Sequence, residues 1–163
     1  MLGNHDLSYY DKSFRTCRYS YELSDWYSKF LHDNWEHFKI SFSLENGESK
    51  YLLSHAGVNP CWLKINDFEQ IFNDDYINSL FNTNKNSFNE YTYYRGGYDR
   101  VGSPIWADIR EYYDKTIDFS CMDVKQIVGH TQLIKDKITI NNITCIDSRQ
   151  AFVITNNNEI EKY

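Results

Sequence analysis

The first strong pattern of hydrophobic and polar positions lies between residues 22 and 36. Apolar side chains recur there at steps of three and four, at Leu23, Trp26, Tyr27, Phe30, Leu31 and Trp35. This spacing predicts an amphipathic helix over residues 22–36 that buries one face. Ser20 and Ser24 are both suitable N-caps, so the pattern fixes the start of the helix only to within a turn.

The next pattern predicts a β-hairpin. Apolar residues alternate through residues 38–44, the segment 45–48 contains an Asn-Gly turn, and residues 51–53 form an apolar run. These features are typical of two antiparallel strands, the second of which ends at His55. Loops beyond the ends of strands are where α/β sheets place their chemistry, which draws attention to His55.

The rest of the chain alternates between helical and strand patterns. Asn59-Pro60 predicts a break, residues 67–81 a second helix, and the Asn-, Tyr- and Gly-rich residues 82–103 a long surface connection. Short apolar segments predict later strands at residues 123–128, 137–140, 143–146 and 151–155, followed by a hairpin turn at 156–158. We therefore expect one α/β domain over residues 1–163.

Composition narrows the functional classes. With 14 Tyr, 10 Phe, only 2 Pro and only 7 Gly, the chain is typical of an ordered globular protein. The formal net charge of -6 argues against a general nucleic-acid or anionic-membrane surface. Since no apolar run approaches the roughly 18 residues of a membrane span, and no signal-peptide pattern is present, a cytoplasmic location is expected. The cysteines lack metal-ligand spacing and are expected to be free thiols: Cys17, Cys61, Cys121 and Cys145.

Three short motifs carry candidate chemistry. They are Gly3-Asn4-His5-Asp6, Ser54-His55-Ala56-Gly57 and Gly129-His130-Thr131. An Asn-His pair offers a neutral metal ligand beside a proton donor, which suits metal-assisted hydrolysis of a phosphate ester. Each motif alone is also compatible with a turn or a hydrogen-bonded structural histidine, and the three histidines could be structural in an unrelated α/β domain.

In this order the motifs resemble the later motifs of the calcineurin-like metallophosphoesterases, specifically the serine/threonine protein phosphatase branch with its bacterial and phage relatives. The resemblance runs from Gly3 to about Asp147. It implies an α/β/β/α sandwich of mixed sheets flanked by helices. It also implies hydrolysis of phosphomonoesters by metal-bound hydroxide at two divalent ions, which could be Mn²⁺, Fe or Zn²⁺.

The resemblance assigns roles to individual residues. Asn4, His55 and His130 correspond to the ligands of the second metal, and His5 to the acid that protonates the leaving group. Each metal-bound imidazole needs an acceptor on its other nitrogen, and Asp108 and Asp147 are the carboxylates expected there.

Substrate choice stays open at this stage. Many metallophosphoesterases have a second histidine two positions after the first, and it reaches the first metal. This chain has Gln132 at that position, and the protein phosphatase branch also lacks the histidine. The segment 54–62 also resembles symmetrical diadenosine tetraphosphate hydrolases, so a phosphorylated protein and a small phosphate ester or nucleotide are both candidate substrates. Arg110 resembles the family's phosphate-binding arginine, with Arg100 or Arg95 as alternatives and a plain surface arginine as the simpler interpretation.

Two motifs of this family that precede the Gly-Asn-His-Asp motif, DxH and GDxxDRG, are not found in the sequence. The resemblance implies that they supply the ligands of the first metal and the bridging aspartate. We therefore expect an N-terminally truncated or split reading frame. The alternatives are an internal start, or a non-catalytic fragment or subunit whose partner chain supplies the missing half. The first strands of the sandwich would then be missing, leaving an exposed sheet edge and apolar face, and the chain alone would be weakly active or inactive.

Overall fold

A computed structural model of the chain describes residues 1–14, 19–134 and 136–163. Its α-helices within these residues are α1 (Asn4–Tyr10), α2 (Tyr21–Asp33), α3 (Pro60–Ile65) and α4 (Asp74–Thr83). Short 3-10 helices lie at Trp35–His37, Lys85–Asn89, Tyr93–Arg95 and Ile109–Tyr113. The strands are β1 (Ser41–Asn46), β2 (Ser49–Ser54), β3 (Lys125–Val128), β4 (Ile138–Ile140), β5 (Ile143–Cys145), β6 (Phe152–Ile154) and β7 (Ile160–Lys162).

Five of these strands form one mixed sheet in the order β1-β2-β3-β5-β4. Strands β2, β3 and β5 run parallel to one another, whereas β1 and β4 are antiparallel to their neighbours and form the two edges. Strands β6 and β7 make a separate antiparallel hairpin. The predicted α/β class is therefore confirmed, with a mixed sheet accompanied by helices.

The predicted hairpin is confirmed as β1 and β2, although its first strand begins at Ser41 instead of residue 38 and its second ends at Ser54, one residue before His55. Gly47 occupies the turn with a φ of +59°, in the left-handed region that glycine adopts without a steric penalty. In the parallel pair β2 and β3, Ser54 lies opposite Val128. Because both strands end at this point, the loops that carry His55 and His130 leave the same edge of the sheet side by side.

Helix α2 exists as predicted, but its end and its buried face differ from the prediction. The helix begins after Ser20 and ends at Asp33, where Asn34 leaves the helical conformation and a 3-10 turn follows. Only Leu31 is buried, whereas Leu23 is 57% and Trp26 is 66% exposed. A helical period in the sequence defines an apolar stripe, but it does not determine whether another element covers that stripe.

The second predicted helix and the predicted break both need correction. Residues 67–73 are not helical, and α4 begins after Asn73, whose side-chain oxygen accepts a hydrogen bond from the Tyr76 N–H at 2.8 Å. Conversely, Asn59-Pro60 starts a helix: Asn59 Oδ1 accepts from the Cys61 N–H at 2.9 Å, and Pro60 is the first residue of α3. Proline suits this position because its missing N–H would have no partner within the helix.

The later strand predictions are confirmed in outline. Strands β3 to β7 lie within or beside the predicted segments, and the 82–103 connection contains two of the 3-10 turns. Cys61, Cys121 and Cys145 are free thiols, while Cys17 lies outside the described residues. No helix in the described part of the chain has both the length and the apolar character needed to cross a membrane.

Candidate functional site

The opening motif places Asn4 at the start of α1, pointing into the protein. Gly3 precedes the helix, and its N–H donates to the Asp6 carboxylate at 2.9 Å, which ties down the first turn. Asn4 is only 1% exposed although its side chain is polar. A buried amide of this kind needs polar partners, and it finds one in the His55 ring.

Gly3 is required at its position because the His55 ring packs directly against it. A Cβ at Gly3 would lie 2.6 Å from both Nδ1 and Cε1 of His55. Only a residue without a side chain permits this approach. The glycine of the motif thus brings the His55 ring against the N-terminus of α1, next to Asn4.

The loops after β2 and β3 hold the two histidines that are candidate metal ligands, His55 and His130. The Gly129 N–H donates to the His55 carbonyl at 2.9 Å and joins the two loops beyond the end of the sheet. His130 has a φ of +63°, a left-handed conformation that is uncommon for a residue other than glycine. Such conformations cluster at functional sites, where the surrounding structure must hold them in place.

Three potential ligand atoms from these distant parts of the chain converge. His55 Nε2 lies 2.9 Å from Asn4 Oδ1 and 2.9 Å from His130 Nδ1. A neutral imidazole carries a single proton, and an amide oxygen only accepts hydrogen bonds. The two contacts of His55 Nε2 therefore either share one proton, or one of them places two lone pairs opposite each other. A cation among the three atoms would use all of their lone pairs.

Burial keeps the two imidazoles neutral, which is the form that binds metals. It lowers the pKa of His55 to about 4, while Asp6 acts in the opposite direction. Burial, followed by the neighbouring His55 and Arg95, lowers the pKa of His130 to about 2. Each ring therefore keeps one unprotonated nitrogen at neutral pH.

The donor set fits a divalent metal in its spacing and chemistry. Adjacent ligands about 2.1 Å from an octahedral ion lie about 3 Å apart, close to the 2.9 Å observed for both pairs. Imidazole nitrogen with amide oxygen suits Mn²⁺, Fe or Zn²⁺. Within the described residues, no group of three or more His, Cys, Asp or Glu side chains could hold a metal. The third donor here is an amide, so the set carries no negative charge to balance a dication.

His5 follows Asn4 on α1 and is half-buried. Its charge lowers the pKa of both His55 and His130, which indicates that it lies near the converging donors. The neighbouring Asp6 accepts a hydrogen bond from the Tyr27 hydroxyl at 2.8 Å. Burial and this carboxylate together raise the pKa of Tyr27 to about 12.

Asp108 contacts arginines. Its carboxylate is fully buried and receives two hydrogen bonds from the Arg110 side chain, from Nε at 2.7 Å and from Nη2 at 3.0 Å, and a third from the Arg110 backbone N–H at 3.0 Å. Arg95 Nε lies 2.9 Å from Asp108 Oδ2, although its N–H is not directed for a hydrogen bond. Burial opposes ionisation, but the bonds from Arg110 and the charge of Arg95 outweigh it and lower the pKa of Asp108.

Of the three candidate arginines, Arg95 lies closest to the histidines. Its Nη2 donates to the His130 carbonyl at 3.0 Å and to Thr131 Oγ1 at 2.8 Å. Arg110 is half-exposed and stacks on Tyr94. Arg100 instead pairs with Asp114 on the exposed side of the same region.

The second predicted carboxylate, Asp147, lies beside the His130 loop and is held there by a backbone hydrogen bond. Its carbonyl accepts from the Leu133 N–H at 2.8 Å, and its Cβ lies beside Gly129. In the part of the chain that the structure describes, His130 Nε2 is buried without a hydrogen-bond partner. The structure therefore does not bring Asp108 or Asp147 to that nitrogen.

Arg95 and Arg110 with their shared partner Asp108 form what we call the arginine cluster. Sequence reasoning missed Glu111, which supports this cluster by accepting from the Asp108 backbone. The Glu111 carboxylate accepts from the backbone N–H groups of Asp108 and Gly102, at 2.7 and 3.0 Å. Burial nevertheless raises its pKa to about 7. The signal was available, because Asp108 followed three positions later by Glu111 is a capping-box pattern.

Comparison of the chain with protein-family models, with curated proteins and with solved structures finds no match.

Proposed function

We propose that this chain is a metal-dependent phosphoesterase domain of the calcineurin-like type, acting on phosphomonoesters. The observation that carries the proposal is the convergence of three segments far apart in sequence, with His55 Nε2 lying 2.9 Å from both Asn4 Oδ1 and His130 Nδ1. Buried polar groups normally pair a hydrogen-bond donor with an acceptor. Chance packing therefore seldom brings together three atoms that can each offer a lone pair but share so few protons.

In this proposal each residue has a distinct role. Asn4, His55 and His130 hold a divalent ion, which would supply Lewis-acid polarisation of the phosphate and activation of water. His5, beside Asn4 on α1, donates the proton to the leaving-group oxygen. Arg95 and Arg110 provide guanidinium donors for the phosphate oxygens, and Asp108 keeps both side chains ordered.

The neutral donor set also predicts the strength of the site. A dication held by two imidazoles and one amide keeps its charge uncompensated, so it binds weakly and lowers the pKa of its water less than a carboxylate-rich site does. We therefore expect measurable metal binding but slow hydrolysis of an aryl phosphate by this chain.

Metal binding tests the proposal directly. Mn²⁺ titration followed by electron paramagnetic resonance should show a bound ion in the wild type and its loss in His55→Ala and His130→Ala. His37, whose side chain is 72% exposed in a 3-10 turn, provides the matched control: His37→Ala should bind as the wild type does. Absence of Mn²⁺ binding, or an equal loss in the His37 variant, would refute the metal site.

Turnover tests the role of His5 separately. With p-nitrophenyl phosphate and Mn²⁺, His5→Ala should lower the residual rate by about 10²-fold, the contribution of general acid catalysis, while metal affinity changes little. Fast wild-type hydrolysis that His5→Ala leaves intact would rule out its role as the acid.

A further inference from the structure

Beside the arginines lies a loop, residues 93–99, that presents tyrosines to solvent. We call it the tyrosine loop. Tyr93 is 55% and Tyr98 is 99% exposed, while Arg95 of the same loop reaches the His130 carbonyl. The loop therefore extends from the candidate metal ligands to the molecular surface. None of the roles assigned above uses its aromatic rings.

The tyrosine loop is held in one conformation by its backbone. The Tyr93 N–H donates to the Asp99 carbonyl at 2.9 Å, and the Gly97 N–H donates to the Thr92 carbonyl at 3.0 Å. A Cβ at Gly97 would lie 1.8 Å from the Tyr91 carbonyl oxygen, so only glycine fits at this point. The exposed rings thus stand on a preorganised support, which lowers the entropic cost of binding a ligand.

Tyr93 and Tyr94 form an aromatic pair that adjoins the phosphate-binding guanidinium. Their ring centroids are 4.2 Å apart, and Arg110 Cζ lies 4.5 Å from the Tyr94 ring centroid. Arg110 Nη2 also donates to the Tyr94 carbonyl at 3.2 Å. A cationic group for phosphate and an exposed aromatic surface therefore lie next to each other on fixed backbone.

We propose that Tyr93, supported by Tyr94, forms a subsite for an aromatic ring carried by the phosphate ester that Arg95 and Arg110 hold. This inference rests on the proposed phosphoesterase function and names a substrate class for it. Base or aryl rings stack on exposed tyrosines irrespective of their hydrogen-bonding edges, and the neighbouring arginines supply the attraction for phosphate. Nucleoside monophosphates and phenyl phosphates share this chemistry.

Isothermal titration calorimetry with two matched pairs of esters tests the subsite. Adenosine 5′-monophosphate is compared with ribose 5-phosphate, and phenyl phosphate with glycerol 3-phosphate. The aromatic member of at least one pair should bind about 5- to 100-fold more tightly, the range lost when alanine replaces a stacking side chain. Preference in the adenosine pair identifies a nucleotide as the source of the ring, and preference in the phenyl pair alone identifies an aryl phosphate.

Variants of the tyrosine loop then locate the effect. Tyr93→Ala should abolish the preference and Tyr93→Phe should retain it, because stacking needs the ring and not the hydroxyl. Tyr98→Ala, on the same loop, is the control and should bind like the wild type. Equal affinities within both pairs, absence of binding by all four esters, or an equal loss in the Tyr98 variant would overturn the subsite.

The two proposals fail in distinguishable ways. If the protein prefers aromatic esters through Tyr93 but does not bind Mn²⁺, the subsite is supported and the metal site is refuted. Mn²⁺ binding that depends on His55 and His130, with no preference between the paired esters, supports the metal site and removes the subsite.

Discussion

A single methyl group at Gly3 should disrupt the candidate metal site. In Gly3→Ala the new Cβ would meet the His55 ring at 2.6 Å, whereas ordinary van der Waals contact begins at 3.4 Å. The ring must therefore shift by about 0.8 Å, or the start of α1 must move away from it. Ligand distances in a metal site tolerate only about 0.2 Å, so this shift separates His55 Nε2 from Asn4 Oδ1 and His130 Nδ1.

We expect Gly3→Ala to lower Mn²⁺ affinity at least tenfold and to reduce the free energy of unfolding by about 1–3 kcal/mol, the usual cost of overpacking. Electron paramagnetic resonance measures the first quantity and urea denaturation the second. Gly129 offers a matched control beside His130, because its added Cβ would find only ordinary contacts, the nearest at 3.6 Å. Gly129→Ala should therefore retain both affinity and stability.

The outcome that would refute this reasoning is a Gly3→Ala protein with wild-type Mn²⁺ affinity. The contact between the His55 ring and the N-terminus of α1 would then be unimportant for the donor geometry. Loss of affinity in Gly129→Ala to the same extent would also count against it, since the effect would reflect general damage near the sheet edge and not the specific collision.

Three further predictions concern the arginine cluster. The folded pKa of Glu111, about 7, exceeds its unfolded value, so protonated Glu111 contributes stability that is fully present below about pH 4.5 and lost as the pH rises through 7. Urea denaturation across this window should show that the free energy of unfolding falls by up to about 1.4 kcal/mol per pH unit. The variant Glu111→Gln should remove this pH dependence. Asp108→Asn should cost about 3 kcal/mol in the same assay, because Arg95 and Arg110 lose their shared buried carboxylate. Arg95→Gln should weaken phosphate binding about tenfold by calorimetry, whereas Arg100→Gln should leave it unchanged.

Local signals in the sequence were sufficient where backbone chemistry decides the structure. The Asn-Gly turn located the β1–β2 hairpin, and the apolar run before Gly129 located β3. Because parallel strands end at a common edge, these two predictions together explain why His55 and His130 meet. The sequence was therefore sufficient to predict that His55 and His130 lie side by side.

Other features depended on contacts that a single sequence does not encode. The apolar spacing predicted helix α2 correctly, but it did not indicate that Trp26 would remain 66% exposed. Residues 67–73 carry helix-compatible apolar spacing, yet the cap at Asn73 starts α4 later. Arg95 was only an alternative to Arg110, because its role depends on the tyrosine loop folding back onto the His130 loop.

The left-handed backbone at His130 connects the candidate metal ligands to the arginine cluster. A histidine at φ +63° carries a conformational cost of about 1–2 kcal/mol relative to the right-handed region, so surrounding contacts must hold it. The bond from Arg95 to the His130 carbonyl is one such contact, and Asp108 in turn orients Arg95. A phosphate that draws Arg95 toward itself would therefore act on the same backbone that positions His130, a proposed metal ligand. Metal and phosphate binding should be coupled through this carbonyl, and the linkage requires each ligand to change the other's affinity by the same factor.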